Sequence, residues 1–332
     1  MHQFDVLAVG DVVTDAFIRL TDEDAKVVKN DQGQWLMLPF GTKLPFEYSE
    51  VVPGVGNASN AAVTFARLGL KSSYVTNVGS DQAGREIIDS LGKNGVDIRF
   101  VRINPGKKSN YHYVLWYKEE RTILIKHEDY DYHWPHIAKT EKPRWVYFSS
   151  LSEHALPYQD RISDWLENNP DVFLAFQPGT FQMEAGTHRL RRLYRRTAIL
   201  ILNREEAAKV GGGNHEDMHD LIDKLHALGP QVVVVTDGPN GAYASDGKQR
   251  LRMPLYPDPK PPLERTGAGD AFASAFVAAA VKGMKLEDAL RWGPINSMSV
   301  CQKVGSQAGI LTERELLQYL HHAPHDYIPT PF

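Results

Sequence analysis

One stretch carries the most chemistry. In Glu264-Arg265-Thr266-Gly267-Ala268-Gly269-Asp270, a turn with almost no side chains leads into a run of small residues, Ala271 to Val281, with a carboxylate at its mouth. Unpaired N–H groups at a helix start attract anions, and the helix dipole adds to the attraction. Asp270 has two readings there. It caps the helix, or it takes a proton from a hydroxyl beside a bound phosphate. The local pattern fits either. A carboxylate beside an anion site is costly unless chemistry needs it, and that favours the base. The stretch is not a Walker loop, since no G-x-x-x-x-G-K-[ST] occurs.

Other stretches offer chemistry with a plainer reading beside each. Gly54-Val55-Gly56 with Asn57, Ser59 and Asn60 approaches a dinucleotide fingerprint. It lacks the third glycine, and no acidic residue ends a following strand at the right distance. Asn57 and Asn60 instead suit hydrogen bonds to hydroxyls, or simple capping. Asn203 with Glu205 and Glu206 suits a hydrated Mg²⁺ contact near phosphates, or an ordinary acidic helix start. Thr236 to Gly241 is a strand followed by a glycine turn, open to a nucleotide or merely a hairpin. His215-Glu216-Asp217-Met218-His219 matches a zinc-protease motif. Its extended form needs a Gly and a His where Ile222 and Leu225 stand, and no Glu follows until Glu264. It reads as a helix start. The basic run from His188 to Arg196 reads as a solvated helix face over Leu190 and Leu193.

These residues need elements to position them. Short apolar runs recur: Asp5–Asp11, Ser72–Asp81, Arg144–Ser150, Val172–Thr180, Ala198–Glu206 and Val232–Gly241. Several are apolar throughout, as buried parallel strands are. Between them lie stretches with helical spacing, Ala58–Leu68, Ala83–Lys93, Pro157–Asn168, Gly186–Arg195 and Glu216–Leu228. The alternation predicts an α/β fold, a mostly parallel sheet with helices on both faces. After Asp270 three helices follow, Ala271–Val281, Leu286–Lys303 and Thr312–His321. Two regions break the rhythm. Residues 12–52 and 100–128 carry β-formers and are expected to pair into a small projecting sheet. Ligands of open α/β sheets bind beyond the carboxyl ends of the strands. Those ends carry Asp11, Asp15, Ser149, Ser150, Asn203, Glu206 and Thr236 to Gly238.

Composition narrows the class. The chain has 332 residues, 42% hydrophobic and 23% charged, with a net charge of −4. That balance is ordinary for a globular protein and gives no electrostatic reason to expect nucleic acid or an anionic membrane. The single cysteine, Cys301, excludes an intrachain disulfide and a multi-cysteine metal site. The N-terminus reads as a strand rather than a signal peptide, and the longest apolar run falls short of the roughly 20 residues of a membrane span. A cytoplasmic protein is expected.

In order and spacing, these motifs resemble the ribokinase-like (PfkB) carbohydrate kinases over nearly the whole chain. Gly10-Asp11-Val12-Val13-Thr14-Asp15 resembles the family's first-strand motif, and Gly54 to Gly69 its first signature. Asn203-Arg204-Glu205-Glu206 resembles N-x-x-E, and Thr236 to Gly241 the T-x-G-x-x-G element. Thr266 to Phe276 resembles the second signature. The resemblance implies one kinase domain over 1–332 with a lid. It implies transfer of the ATP γ-phosphoryl group to a sugar hydroxyl, with a nucleoside kinase or a catalytically weak sugar-binding sensor as alternatives. It makes Asp270 the base and Gly267, Ala268 and Gly269 the anion hole. Asp11, Asp15, Gly56 and Asn60 would hold sugar hydroxyls. Asn203 and Glu206 would act near Mg²⁺ and the phosphates. Thr236, Gly238 and Gly241 would line the nucleotide site, with Asn296 near the adenine. The lid would form a homodimer. Two departures stand out. Glu264-Arg265 replaces the usual Asp-Thr, which puts activation by K⁺ in doubt. Val55 replaces the first of two glycines, which puts the fine shape of the sugar pocket in doubt.

Overall fold

The computed structural model describes residues 3–31, 33–118, 120–212 and 216–332. The chain opens with β1 (Val6–Val9) and runs directly into β2 (Val13–Leu20), β3 (Lys26–Asn30), β4 (Gly33–Met37) and β5 (Phe46–Val55). Then come α1 (Asn57–Arg67), β6 (Ser72–Gly79), α2 (Gln82–Lys93), β7 (Val101–Asn104), β8 (Tyr111–Tyr117) and β9 (Glu120–Lys126). The middle of the chain holds β10 (Trp145–Phe148), α3 (Leu156–Glu167), β11 (Phe173–Phe176), α4 (Thr180–Arg189), α5 (Arg191–Arg196), β12 (Thr197–Asn203) and α6 (Arg204–Gly211). It closes with α7 (Met218–Ala227), β13 (Val232–Thr236), β14 (Ala242–Ser245), β15 (Arg250–Met253), α8 (Ala268–Val281), α9 (Leu286–Cys301), α10 (Glu313–His321) and β16 (Thr330–Pro331).

The main sheet has ten strands in the order β16-β15-β14-β13-β12-β11-β10-β1-β6-β7. Every pairing from β13 to β7 is parallel, and β14 to β16 add an antiparallel margin. Side chains alternate across the central strands. Tyr147 packs on Phe65 of α1, with ring centroids 5.4 Å apart, within a core that includes Phe276 and Trp292. Phe148, one residue on, stacks on Phe176 at 5.3 Å against Tyr158, Leu193 and Leu221. Each such fully buried side chain contributes about 1.5–3 kcal/mol. Two cores clamped on one sheet fix where its strands end. Among the described residues, no helix is long and apolar enough to cross a membrane.

The projecting sheet is present, with adjusted bounds. Its order is β5-β2-β8-β9, so the two irregular regions do pair, through parallel β2 and β8. Residues 101–104 do not belong to it. They form β7, whose four residues pair in register with Thr76–Gly79 at the edge of the main sheet. The sequence hides this, because a short edge strand alternates as a lid strand does. Strands β3 and β4 form a separate hairpin. The helix expected over 186–195 is split at Leu190, between α4 and α5, and Gly186, at φ 82°, also departs from helical geometry within α4.

Candidate active site

Asp270 stands in the first turn of α8, after Gly267 in a left-handed conformation. A side chain at Gly267 would place its Cβ 2.3 Å from Ser306 Cβ, so glycine is required by both torsion and space. Gly269, by contrast, faces open space. The first-turn N–H groups of a helix lack carbonyls one turn back. Ala268 N–H reaches Arg265 O at 3.3 Å, which leaves Gly269 and Asp270 as the stronger donors to an anion.

Asp270 makes no side-chain cap. Its Oδ2 accepts from Asn60 Nδ2 at 2.8 Å, and its Oδ1 from Gln177 Nε2 at 3.2 Å. Both amides are themselves held. Asn60 Oδ1 accepts from Ser306 Oγ at 2.9 Å and Gln307 Nε2 at 3.1 Å, which fixes its NH₂ toward Asp270. Gln177 Oε1 accepts from the Tyr147 hydroxyl. Burial raises the Asp270 carboxyl above the ordinary aspartate value, and the two amides partly offset this. The arrangement keeps a carboxylate oriented and readily protonated.

Asp270 opens into a cavity of about 400 Å³ between the main sheet and the lid. Asp11, Asp15, Gly56, Asn60 and Gly267 line the same space. The chain passes from β1 into β2 through Gly10–Val12, which is why two carboxylates stand where core meets lid. They differ in what they can do. Asp11 accepts from the Tyr132 hydroxyl at 2.8 and 3.0 Å and from Ser152 N–H at 2.7 Å. It is taken up holding the strand end. Asp15 Oδ1 is buried with no hydrogen-bond partner among the described residues, and it faces His112 Nδ1 at 3.3 Å. That oxygen retains the capacity to accept a further hydrogen bond. Gly56 begins α1 at φ 113°, where a Cβ would sit 3.0 Å from Asp11 O.

Farther along the same sheet edge, Asn203 ends β12 beside Thr236 of β13. Asn203 Oδ1 accepts from Glu206 N–H at 2.8 Å, and Glu206 Oε2 accepts from Asn203 N–H at 2.9 Å. This reciprocal cap is the plainer of the two readings, and it also fixes the Glu206 carboxylate. Burial raises the Glu206 carboxyl above its ordinary value, and the Asp270 charge adds to the rise. Gly241, at φ 90°, lies so close to β15 that a Cβ would meet Met253 O at 2.1 Å. Gly238 is open on its Cβ side.

Asn296 is not brought to the site. It is fully buried, donates to Ala271 O at 2.9 Å and accepts from Leu311 N–H at 3.0 Å. Its amide ties α9 to α8 and to the segment before α10. Glu264 is also spoken for, accepting from Thr266 N–H at 2.7 Å and Gly305 N–H at 2.9 Å. It braces the turn that leads into α8. His215 lies outside the described residues. His219 packs on Phe332 at 5.0 Å, and its Nδ1 is 2.7 Å from an Arg250 nitrogen.

Sequence reading missed Gln177, His112, His127, Arg121, Phe181, Ser306 and Gln307. Gln177 was within reach, since it directly follows β11 at a strand end. Phe181 stands at the start of α4, shortly after the same strand, and the others come from the lid segment and from the loop after α9. The lid tyrosines Tyr111 and Tyr113 contact each other at 5.2 Å and line an outer recess rather than the cavity.

Residues 47–313 match the family model described as pfkB family carbohydrate kinase. A cytidine kinase of Thermococcus kodakarensis is 30% identical over 264 residues, 76% of this chain and 89% of that protein. A ribokinase of Bacillus subtilis is 28% identical over 82% of this chain and 88% of its own. Among solved structures, Arabidopsis thaliana ribokinase complexed with ribose and ATP superposes with a TM-score of 0.76 at 19% identity, over 96% of this chain and 99% of that one. A nucleoside kinase of Methanocaldococcus jannaschii gives 0.75 at 16% identity, over 97% and 100%.

Proposed function

Since this chain belongs to the pfkB family of carbohydrate kinases, we propose that it moves the γ-phosphoryl group of ATP to a hydroxyl of a sugar, with Asp270 as the general base. The carrying observation is the Asp270 carboxylate, held by Asn60 and Gln177 at a cavity that Asp15 also lines.

The step follows from these positions. A sugar enters beneath the lid, and its hydroxyls bond to Asp15, Gly56 and Asn60, with Asp11 shaping the strand end. The reacting hydroxyl lies at Asp270. Its oxygen forms a bond to the γ-phosphorus as the bond from that phosphorus to the ADP oxygen breaks, and Asp270 takes the proton. The N–H groups of the turn from Gly267 to Asp270, those of Gly269 and Asp270 foremost, receive the charge on the transferring group. Asn203, Glu206, Thr236, Gly238 and Gly241 line the nucleotide side. Phosphoryl transfer is chiefly positioning and electrostatic stabilisation, and the site consists of just those parts. The lid excludes water, so that ATP is not hydrolysed instead.

Among the described residues, no group of three His, Cys, Asp or Glu side chains is placed to hold a metal ion. The residues fit Mg²⁺ as an ion carried in on phosphates, with Glu206 reached through water. The reciprocal cap with Asn203 fixes the Glu206 carboxylate that would face such a hydrated ion. Bound Mg²⁺ would supply neutralisation of phosphate charge. Glu264 is committed to two backbone N–H groups, and K⁺ forms no part of the proposal.

A nucleoside acceptor is the second reading. Phe181, Ile123 and Ile125 give the cavity an apolar wall, which suits a base better than a bare sugar. A panel of sugars and nucleosides with ATP and Mg²⁺ decides, and turnover of nucleosides alone would remove the sugar reading. The β3–β4 hairpin exposes Val28, Trp35 and Met37 on one face, and β5 exposes Phe46 and Val51, apolar side chains of the kind partner chains cover. They support a homodimer through the lid, testable by light scattering.

A further inference from the structure

The inner face of the lid is graded along its length. Side chains alternate on a strand, so Arg121, Ile123 and Ile125 of β9 share one face and line the main cavity. Leu124 and Lys126 line the outer recess instead. The register sets Ile125 opposite His112, Ile123 opposite Val114 and Arg121 opposite Trp116. The imidazole end meets Asp15, where His112 Nδ1 is 3.3 Å from the carboxylate. The cationic end meets the anion-hole turn. Arg121 shares a recess with Glu264 and the cavity wall with Thr266, Gly267 and Asp270.

Arg121 is the one lysine or arginine among the described residues lining that cavity. Its Nε is buried without a hydrogen-bond partner among the described residues. Of the two carboxylates in its recess, Glu264 is taken up by Thr266 and Gly305 N–H, and Glu120 is exposed. Arg121 as a whole is half-buried, and leaving its shielded Nε without an acceptor is unfavourable. Its planar fork of donors matches the oxygens of a phosphoryl group, and the site under it is the one built for such an anion.

We propose that Arg121 is a catalytic residue carried by the lid, contacting the phosphoryl group in transfer from the side opposite the Gly267–Gly269 N–H groups. This rests on the kinase reading. Arg121 makes and breaks no bond. It completes the anion site only when the lid is closed, so an acceptor that closes the lid also switches on stabilisation of the transferring charge. With the lid open, water meets an incomplete site.

The test compares wild type with Arg121→Gln and Arg121→Lys. Binding of MgADP is titrated with and without fluoroaluminate, a mimic of the transferring group, which needs no turnover. Steady-state kinetics are run with ribose and with cytidine. The expected result is that Arg121→Gln binds MgADP as wild type does but loses the tightening by fluoroaluminate. Its kcat falls about 10²–10³-fold, as for loss of one charge-stabilising donor, with the acceptor KM nearly unchanged and the melting temperature retained. Arg121→Lys restores part of the loss. Unchanged tightening in Arg121→Gln would overturn the proposal. A raised acceptor KM with kcat intact would overturn it too, assigning Arg121 to an acidic group on the acceptor. Failure of the wild type to bind MgADP would instead remove the kinase reading itself.

Discussion

Replacing Asp270 with asparagine separates chemistry from folding. The native carboxylate accepts from Asn60 Nδ2 at 2.8 Å and Gln177 Nε2 at 3.2 Å. An asparagine offers one acceptor and one donor. Asn60 cannot turn to meet the new donor, because Ser306 and Gln307 already donate to its Oδ1. Gln177 can turn, because the Tyr147 hydroxyl that donates to it can equally accept. Both contacts therefore survive in Asp270→Asn. Stability follows from the raised carboxyl. The folded state favours protonated Asp270, so its stabilising contribution is full below the unfolded value of 3.8 and is lost as pH rises through the raised folded value. At pH 7 the wild type holds a desolvated charge that the variant lacks. Asp270→Asn should then melt no lower than wild type at pH 7, with its relative advantage shrinking toward pH 4. Loss of a general base costs about 10²–10⁴ in kcat, or about 2.7–5.4 kcal/mol at 1.36 kcal/mol per tenfold. ADP release in a coupled assay measures it. Turnover within about tenfold of wild type, in a variant that melts normally, would refute Asp270 as the base.

Three further outcomes test the surrounding geometry. The acid limb of kcat/KM should lie above the 3.8 of an ordinary aspartate, and Asn60→Asp should move it higher by setting a second carboxylate beside Asp270; identical limbs would mean that Asn60 does not neighbour the base. Gly267→Ala should destabilise by at least about 1–2 kcal/mol from its left-handed torsion alone, with further loss from the contact with Ser306, read by urea unfolding. Glu264→Ala should cost about 1–3 kcal/mol for each of the two N–H groups left unpaired at Thr266 and Gly305, and an unchanged unfolding midpoint would show that Glu264 is not a brace.

Much of the fold was legible because the strands are short, apolar throughout and end in polar residues. A parallel sheet buried on both faces writes that pattern directly. The turn that sets Asp270 at the cavity was legible because its backbone demands a glycine at a fixed place, and Gly267 meets that demand. What distant segments bring was not legible. Gln307 reaches Asn60 across 247 positions, and no periodicity encodes such a meeting. Asn296 shows the reverse. Its position in the motif order suggested a ligand contact, but both ends of its amide hold main-chain groups. Strand β7 was read as lid because four alternating residues fit either sheet, and only pairing with β6 decides.

The most direct measurement follows the label from [γ-³²P]ATP in the presence of Mg²⁺ with ribose, other sugars and nucleosides as acceptors. The account predicts a phosphorylated sugar, formed by wild type and strongly reduced in Asp270→Asn, with little free phosphate. Release of free phosphate at one rate with and without every acceptor, or no use of ATP at all, would contradict it.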